Sequence, residues 1–417
     1  MTDQRPATDL LLEAGRLLLE YNESTAAIHL ALSATAKAVA GQPCHIKVSY
    51  RGVAVSLAGE TPGLVEVEEL RYNTAVQSRV HQILTEAQSG RLVPEAALSS
   101  LRKVEADTPR YPRWFSSIFL GLAAASFARL LGADGGATAI TAVATGLGLL
   151  VRQEIGRRGF SPLVSPLTAA LIGAIAGGLA IRLGWTASPE LVLIVPALML
   201  VPGPHLINGL LDLIDNHLPM SLARFGLATG LLTAAAAGVA LGVELTLPDL
   251  VPIGETGSPA HLNLASDAAL AGIATCGFAV FYNTAWRQLG TATLPGMIGH
   301  GLRFVVLEAS YGLVAATFLG GLAVGVVAAV IARWHKVPVA VMAFAGAVTM
   351  IPGLSIYRAL AGAFRLARLP ERADPDAATA ALSHAVQSCL VVGGLTLGLI
   401  VGARAVSALA GELLPTT

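Results

Sequence analysis

Charge is scarce in this chain. Its 417 residues hold 27 Lys and Arg against 27 Asp and Glu, 13% in all, where a soluble globular chain carries about 25%. The two signs cancel to a net charge of zero, so there is no basic footprint for nucleic acid. Cysteine is scarcer still. Cys44, Cys276 and Cys389 stand without metal or redox spacing, which argues against a disulfide framework and a metal site. No phosphate loop and no nucleophile elbow occurs, so nothing points to an ATP-driven pump or a catalytic serine. The opening residues, Met1-Thr-Asp-Gln-Arg5, lack an apolar stretch, and no cleaved signal peptide is expected.

What charge there is lies unevenly. Residues 1–113 are rich in Glu, Arg and Gln, like a soluble domain, whereas from Trp114 onward the chain is Ala, Gly, Leu and Val. Asp107-Thr-Pro-Arg-Tyr-Pro-Arg113 reads as the linker. In the first part, Leu10, Leu11, Ala14, Leu17 and Leu18 form one helical stripe, and Asn22-Glu-Ser24-Thr25 caps a second helix running to about Ala40. Alternation in 44–50 and 53–57 predicts a β-hairpin around Arg51-Gly52, with a third strand at 64–67. Two more helices follow between Thr74 and Ala106, the second starting near Val93-Pro94. The domain is α+β and cytoplasmic. Glu60, Glu66, Glu68 and Glu69 read as its solvated surface.

The remainder holds ten apolar stretches of the length that crosses hydrocarbon: 114–133, 136–152, 163–183, 190–212 and 220–242, a polar loop at 243–265, then 266–285, 293–312, 313–333, 337–360 and 380–408. The fold class is thus a polytopic α-helical membrane protein with about ten transmembrane helices. It divides into 1–113, a first five-helix repeat at 114–242, an extracytoplasmic loop at 243–265 and a second five-helix repeat at 266–417. An odd number of spans per half inverts one half relative to the other. With the N-terminus inside, Arg152, Arg157, Arg158, Arg333 and Lys336 fall in cytoplasmic loops, and the 243–265 loop has no Lys or Arg, as the positive-inside rule requires. Arg358, Arg365, Arg368 and Arg372 fall outside, against the rule, unless they face a cavity or the span count is off by one.

The fourth span of each half is broken alike. Ala197-Leu-Met-Leu-Val-Pro202-Gly203-Pro-His205 and Ala347-Val-Thr-Met-Ile-Pro352-Gly353-Leu-Ser355 are apolar runs that meet Pro-Gly and continue as amphipathic helices. Pro removes an amide donor and Gly tolerates unusual backbone angles. In hydrocarbon such a break is tolerated only where protein or a wet cavity satisfies the freed groups, and a matched pair points to a transporter's binding site. His205, Asn208, Asp212 and Asp215 share one face after the first break. The positions 150 residues on are Ser355, Arg358, Gly362 and Arg365. If both faces line one cavity they suit a zwitterion or an anion; the alternative is a solvated face at the membrane surface. The free amides of the half-helices beginning at Pro204 and Leu354 favour a carboxylate. Arg129, Asn283, His300, Arg303 and Glu308 are further intramembrane polar groups, hence site candidates. Glu308 is a proton carrier if burial raises its pKa; Asn283 either lines a cavity or caps a helix. Gly173, Gly177, Gly320, Gly321 and Gly325 read as close-packing scaffold.

The order Val201-Pro-Gly203…Ile207-Asn208-Gly209…Asp212, Phe281-Tyr-Asn283, Gly296-Met-Ile-Gly-His300 and Ile351-Pro-Gly353-Leu-Ser-Ile-Tyr357 resembles the threonine/serine exporter family. It also looks like a fusion of the two subunits of bacterial succinate exporters. The resemblance implies export of small hydroxy amino acids from the cytoplasm, driven by the proton motive force, through the bacterial inner membrane. It carries Pro202, Gly203, Asn208, Asp212, Asn283, Pro352, Gly353 and Tyr357 as functional positions. The substrate-binding set is then Pro202, Gly203, His205, Asn208, Asn283, Arg303, Pro352, Gly353, Ser355, Tyr357 and Arg358, with Asp212 and Glu308 exchanging protons. Partners are the substrate, protons and the bilayer; homo-oligomerisation stays open, and no cofactor, metal or enzymatic activity is expected. The rivals are a dicarboxylate exporter and a membrane-anchored enzyme or sensor working through residues 1–113.

Overall fold

The computed structural model describes residues 5–57, 61–247, 262–368 and 375–409. Glu60, Arg372 and most of the 243–265 loop lie outside them. The N-terminal region holds α1 (Arg5–Glu20), α2 (Thr25–Ala40), β1 (Cys44–Ser49), β2 (Gly52–Leu57), β3 (Gly63–Glu66), α3 (Thr74–Gln88) and α4 (Pro94–Asp107). The stripe on α1 is fully buried from Leu10 to Leu18, each leucine contributing about 1.5–3 kcal/mol of apolar transfer. Ser24 caps α2 by accepting from the Ala27 amide at 3.3 Å. The strands form one antiparallel sheet in the order β1-β2-β3, with Cys44 opposite Leu57 and Ser49 opposite Gly52. The tight turn is therefore Tyr50-Arg51, one residue earlier than the sequence suggests. Val53, Val55 and Leu57 alternate onto the buried face against α1.

Then come α5 (Arg113–Leu130), α6 (Gly135–Arg157), α7 (Val164–Arg182), α8 (Pro189–Leu198), α9 (Gly203–Ile214) and α10 (Leu218–Thr246). The second half is α11 (Leu264–Phe281), a 3-10 turn at Trp286–Gln288, α12 (Leu289–Glu308), α13 (Leu313–His335), α14 (Val339–Val348), α15 (Gly353–Arg368) and α16 (Pro375–Leu409). Among the described residues six of these helices are long and apolar enough to span a membrane by themselves, and the pairs α8–α9 and α14–α15, bent by 62° and 58°, bring the number to eight where each pair counts as one span. Each Pro-Gly break thus makes a real kink, for the reason its residues give: Pro cannot donate and Gly has no side chain to obstruct the bend.

The halves pack by the same rule. In the first, α5 lies on α6, α6 on α7, α7 on both α8 and α10, and α9 on α10; in the second, α11 lies on α12, α12 on α13, α13 on both α14 and α16, and α15 on α16. Small residues set these approaches. A Cβ on Gly321 or Gly325 would come within 2.4 or 2.2 Å of the Leu395 or Leu399 carbonyl of α16, so only glycine lets α13 and α16 touch backbone to backbone.

The N-terminal region is docked end to end on the helices. The amides that open α3 would be unpaired in isolation. Here Thr74 N donates to the Tyr282 carbonyl at 2.8 Å and Ala75 N to that of Asn283 at 3.3 Å, at the C-terminal end of α11. Met220 of α10 belongs to the N-terminal core.

Candidate functional site

The two breaks cross. A Cβ on Gly203 would meet Ile351 and Val348 at 2.8 Å, and one on Gly353 would meet Leu198 at 3.1 Å. Between them is an apolar cavity of about 10 Å³ lined by Phe127, Leu198, Met199, Val201, Phe278, Val348, Ile351 and Gly353, barely room for one water. The Tyr357 hydroxyl donates to the Ala197 carbonyl at 3.0 Å, tying the helix after one break to the end of the helix before the other. Pro202, Gly203, Pro352, Gly353 and Tyr357 therefore do come together. The carboxylate expected at the half-helix ends has no place in this arrangement, because Ile351, Val348, Leu198 and Val201 cover those ends.

The polar faces that follow the breaks do not line one cavity; they point to opposite ends of the molecule. On the second-half side, Arg358 reaches Glu190 at the start of α8, its Nε donating at 2.7 Å and its Nη2 at 2.9 Å. Ser355 donates to Gln387 of α16 at 3.0 Å. The arginine that breaks the positive-inside pattern is thus half of a forked ion pair between the halves, which answers why it stands there.

On the first-half side, His205, Asn208 and Asp212 are all buried, and the groups that cover them come from the N-terminal region. Asn208 Nδ2 donates to the Asn22 carbonyl at 2.6 Å. Thr25 N donates to Asp212 Oδ1 at 3.0 Å. Arg224 of α10, fully buried, donates from Nη2 to the Glu23 carbonyl at 2.5 Å and lies 3.3 Å from Asp212 Oδ2, an ion pair without hydrogen-bond alignment. The Tyr72 ring meets the edge of His205 at 5.4 Å between centroids. Burial pushes the Tyr72 phenol well above its usual value, so it stays a neutral donor.

This cluster is incompletely satisfied. Among the described residues twelve buried side-chain nitrogens and oxygens lack a hydrogen-bond partner, and nine of them are here: both amide atoms of Asn22, Thr25 Oγ1, Tyr72 Oη, His205 Nδ1, Asp212 Oδ2, Ser221 Oγ and Arg224 Nε and Nη1. Each unpaired buried polar atom costs about 1–3 kcal/mol, and that cost is concentrated here. Asn22 and Thr25 were read from sequence only as part of a helix cap, and Tyr72, Ser221 and Arg224 were not singled out. Arg224 alone left a signal, a charge inside an apolar stretch. Beside the cluster a cleft of about 180 Å³ opens to solvent between the two regions, lined in part by Tyr21, Arg71, Tyr72, Arg110 and Tyr111.

The remaining candidates stand apart. Asn283 has a left-handed backbone, φ 57°, and ends α11 as an asparagine commonly does. Its amide is committed to docking: Nδ2 donates to Asn73 Oδ1 and the Pro109 carbonyl at 3.0 Å each, and Oδ1 accepts from Tyr111 N at 3.1 Å. Arg303 belongs to a second buried cluster. His300 Nδ1 meets Asp267 Oδ1 of α11 at 2.7 Å, Arg303 Nη1 lies 3.4 Å from His300 Nε2, and Arg303 Nε donates to Thr317 of α13 at 3.3 Å. Asp267 was missed because it opens a helix, where an acid reads as a dipole partner. Glu308 is the last residue of α12 and exposed. The burial on which its proton role depended is absent, because it sits at the exposed end of the helix.

Comparisons agree with one assignment. Residues 9–246 match the family model described as "Putative threonine/serine exporter", and residues 267–404 match that described as "Threonine/Serine exporter, ThrE". The "Probable threonine/serine exporter" of Mycobacterium tuberculosis is 24% identical over 94% of this chain and 76% of its own length. The "Threonine/serine exporter" of Corynebacterium glutamicum is 26% identical over 70% of this chain and 61% of its own. The "Probable succinate transporter subunit YjjP" of Escherichia coli is 25% identical over 58% of this chain and 95% of its own. A relative named a subunit is thus matched almost whole by little more than half of this chain, consistent with the reading of the chain as a fusion. No solved structure matches.

Proposed function

The chain belongs to the threonine/serine exporter family, and from that premise we propose that it carries L-threonine, L-serine or a close relative out of the bacterial cytoplasm, driven by protons. In this reading ten spans cross the inner membrane in two inverted halves of five, residues 1–113 are cytoplasmic and the 243–265 loop is outside. Substrate enters beside the first break, passes the crossing of the two breaks, and leaves past the Arg358–Glu190 pair.

The buried, partly unsatisfied cluster around Asp212 and Arg224 carries the reading. It balances one acid against one base and adds neutral polar groups, which suits a zwitterion with a hydroxyl. A dicarboxylate would set two negative charges against Asp212, and that favours threonine over succinate. Proton coupling belongs to the Asp267–His300 pair, an acid and an imidazole in contact at 2.7 Å, two groups between which a proton can pass.

Vesicles containing the purified chain and loaded with labelled threonine provide the test. Efflux should rise with an imposed pH gradient and be inhibited by serine. Asp267→Asn or His300→Gln should leave downhill efflux intact while removing the response to the gradient. Efflux blocked by succinate but indifferent to serine would overturn the substrate, and gradient-independent flux in the unaltered chain would overturn the coupling.

A further inference from the structure

The turn between α1 and α2 meets α9 and α10 through main-chain atoms. Asn22 and Glu23 offer carbonyl oxygens to the Asn208 amide and the Arg224 guanidinium, and Thr25 offers an N–H to the Asp212 carboxylate. The side chains that would ordinarily make such contacts do not: the Asn22 amide and the Thr25 hydroxyl are buried and unpaired. Two acceptors meeting an amide and a guanidinium, with one donor meeting a carboxylate, is the pattern that a free α-amino acid itself offers, whose carboxylate accepts and whose ammonium donates.

We propose that Asp212, Asn208 and Arg224 form the socket for the ammonium and carboxylate of the transported amino acid, and that the Asn22–Thr25 turn fills it as a tethered substrate mimic which cytoplasmic substrate displaces. This rests on the exporter reading above and names its binding groups. Substrate is recognised through its main-chain groups; the unpaired His205 Nδ1 and Ser221 Oγ stand beside the socket to meet a side-chain hydroxyl. An amine without a carboxylate leaves Arg224 unanswered, and a dicarboxylate leaves Asp212 unanswered, so both are poor ligands. The solvent-open cleft bordered by Tyr21 and Tyr72, which flank the turn and the cluster, supplies the approach.

One substitution removes the mimic without disturbing its helix. Thr25 is the first residue of α2, where proline is well tolerated. Ser24 before it already has φ −67° and ψ 151°, the region a residue preceding proline prefers. Thr25→Pro deletes the N–H that Asp212 accepts and places a ring carbon in its stead. In the full-length purified chain, Thr25→Pro should bind L-threonine roughly tenfold tighter or more, the least that losing a hydrogen bond to a charged competitor yields. In the unaltered chain, saturating threonine should speed amide hydrogen exchange across residues 22–28, while succinate and threoninol do not. The exchange measurement needs no variant, so a misfolded Thr25→Pro leaves the question decidable. Threonine that binds and is exported with unchanged exchange at 22–28, and with equal affinity in Thr25→Pro, overturns the mimic and leaves the exporter standing. Failure of both forms to bind or export threonine overturns the two together.

Discussion

Asp212 and Arg224 form an ion pair closed to solvent, and such a pair is a constraint more than a source of stability. Removing either partner leaves the other charged and buried, at about 3–5 kcal/mol. Asp212→Ala and Arg224→Ala should each lower the unfolding temperature markedly in detergent, and the double variant should lose much less than the sum of the two. A second residue-scale test concerns His29 of α2, whose ring stacks on that of His217 at 5.5 Å and 8°. Burial first, and the neighbouring His217 second, hold His29 below the ordinary histidine value of 6.5. The unfolded chain therefore takes up a proton that the folded one resists. Stability from this contact is complete above about pH 6.5 and is lost as the pH falls below it. Melting temperatures compared at about pH 7.5 and about pH 5.5 should show the drop in the unaltered chain and a smaller one in His29→Gln.

Among the elements, the two broken helix pairs meet at their kinks. The apolar crossing between Gly203 and Ile351, and between Gly353 and Leu198, keeps the centre shut. On the proposed route the forked Arg358–Glu190 contact closes one end, and the α1–α2 turn closes the other. Glu190→Gln weakens the first closure alone. After replacement of Cys44, Cys276 and Cys389, a cysteine at Ser355 should react with a membrane-impermeant thiol reagent severalfold faster in the Glu190→Gln background, since a hydrogen bond between charged groups is worth about 1.5–3 kcal/mol. Equal rates would show that the pair is not the closure. The breaks were legible because Pro-Gly carries its meaning locally. Where the faces beyond them would point was not. His205, Asn208 and Asp212 share a stripe by helical spacing, but the stripe faces the N-terminal turn.

For the whole molecule, the repeated neighbour pattern of the halves shows two halves packed alike, and the loops offer a direct check of whether they are inverted. Single cysteines at Lys336 and Gln288 should be labelled only from the cytoplasmic side and one at Ser310 only from outside; any other pattern removes the inverted arrangement. The N-terminal region is part of this machine, since α3 starts on the carbonyls that end α11 and Met220 of α10 enters its core. The first family match, which runs from residue 9 to 246, takes in the N-terminal region together with α10.

Helices, hairpin, breaks and family followed from residues near one another in sequence: the 3.6- and 2-residue periods, caps, Pro-Gly and the order of short motifs report local physics. Partnership did not follow. Asp212 meets Thr25 across 187 positions, Arg358 meets Glu190 across 168, and Asn283 meets Asn73 across 210. A buried polar group must find a partner or cost the fold dearly, but which partner it finds depends on how distant elements are brought together, and that only the tertiary structure decided.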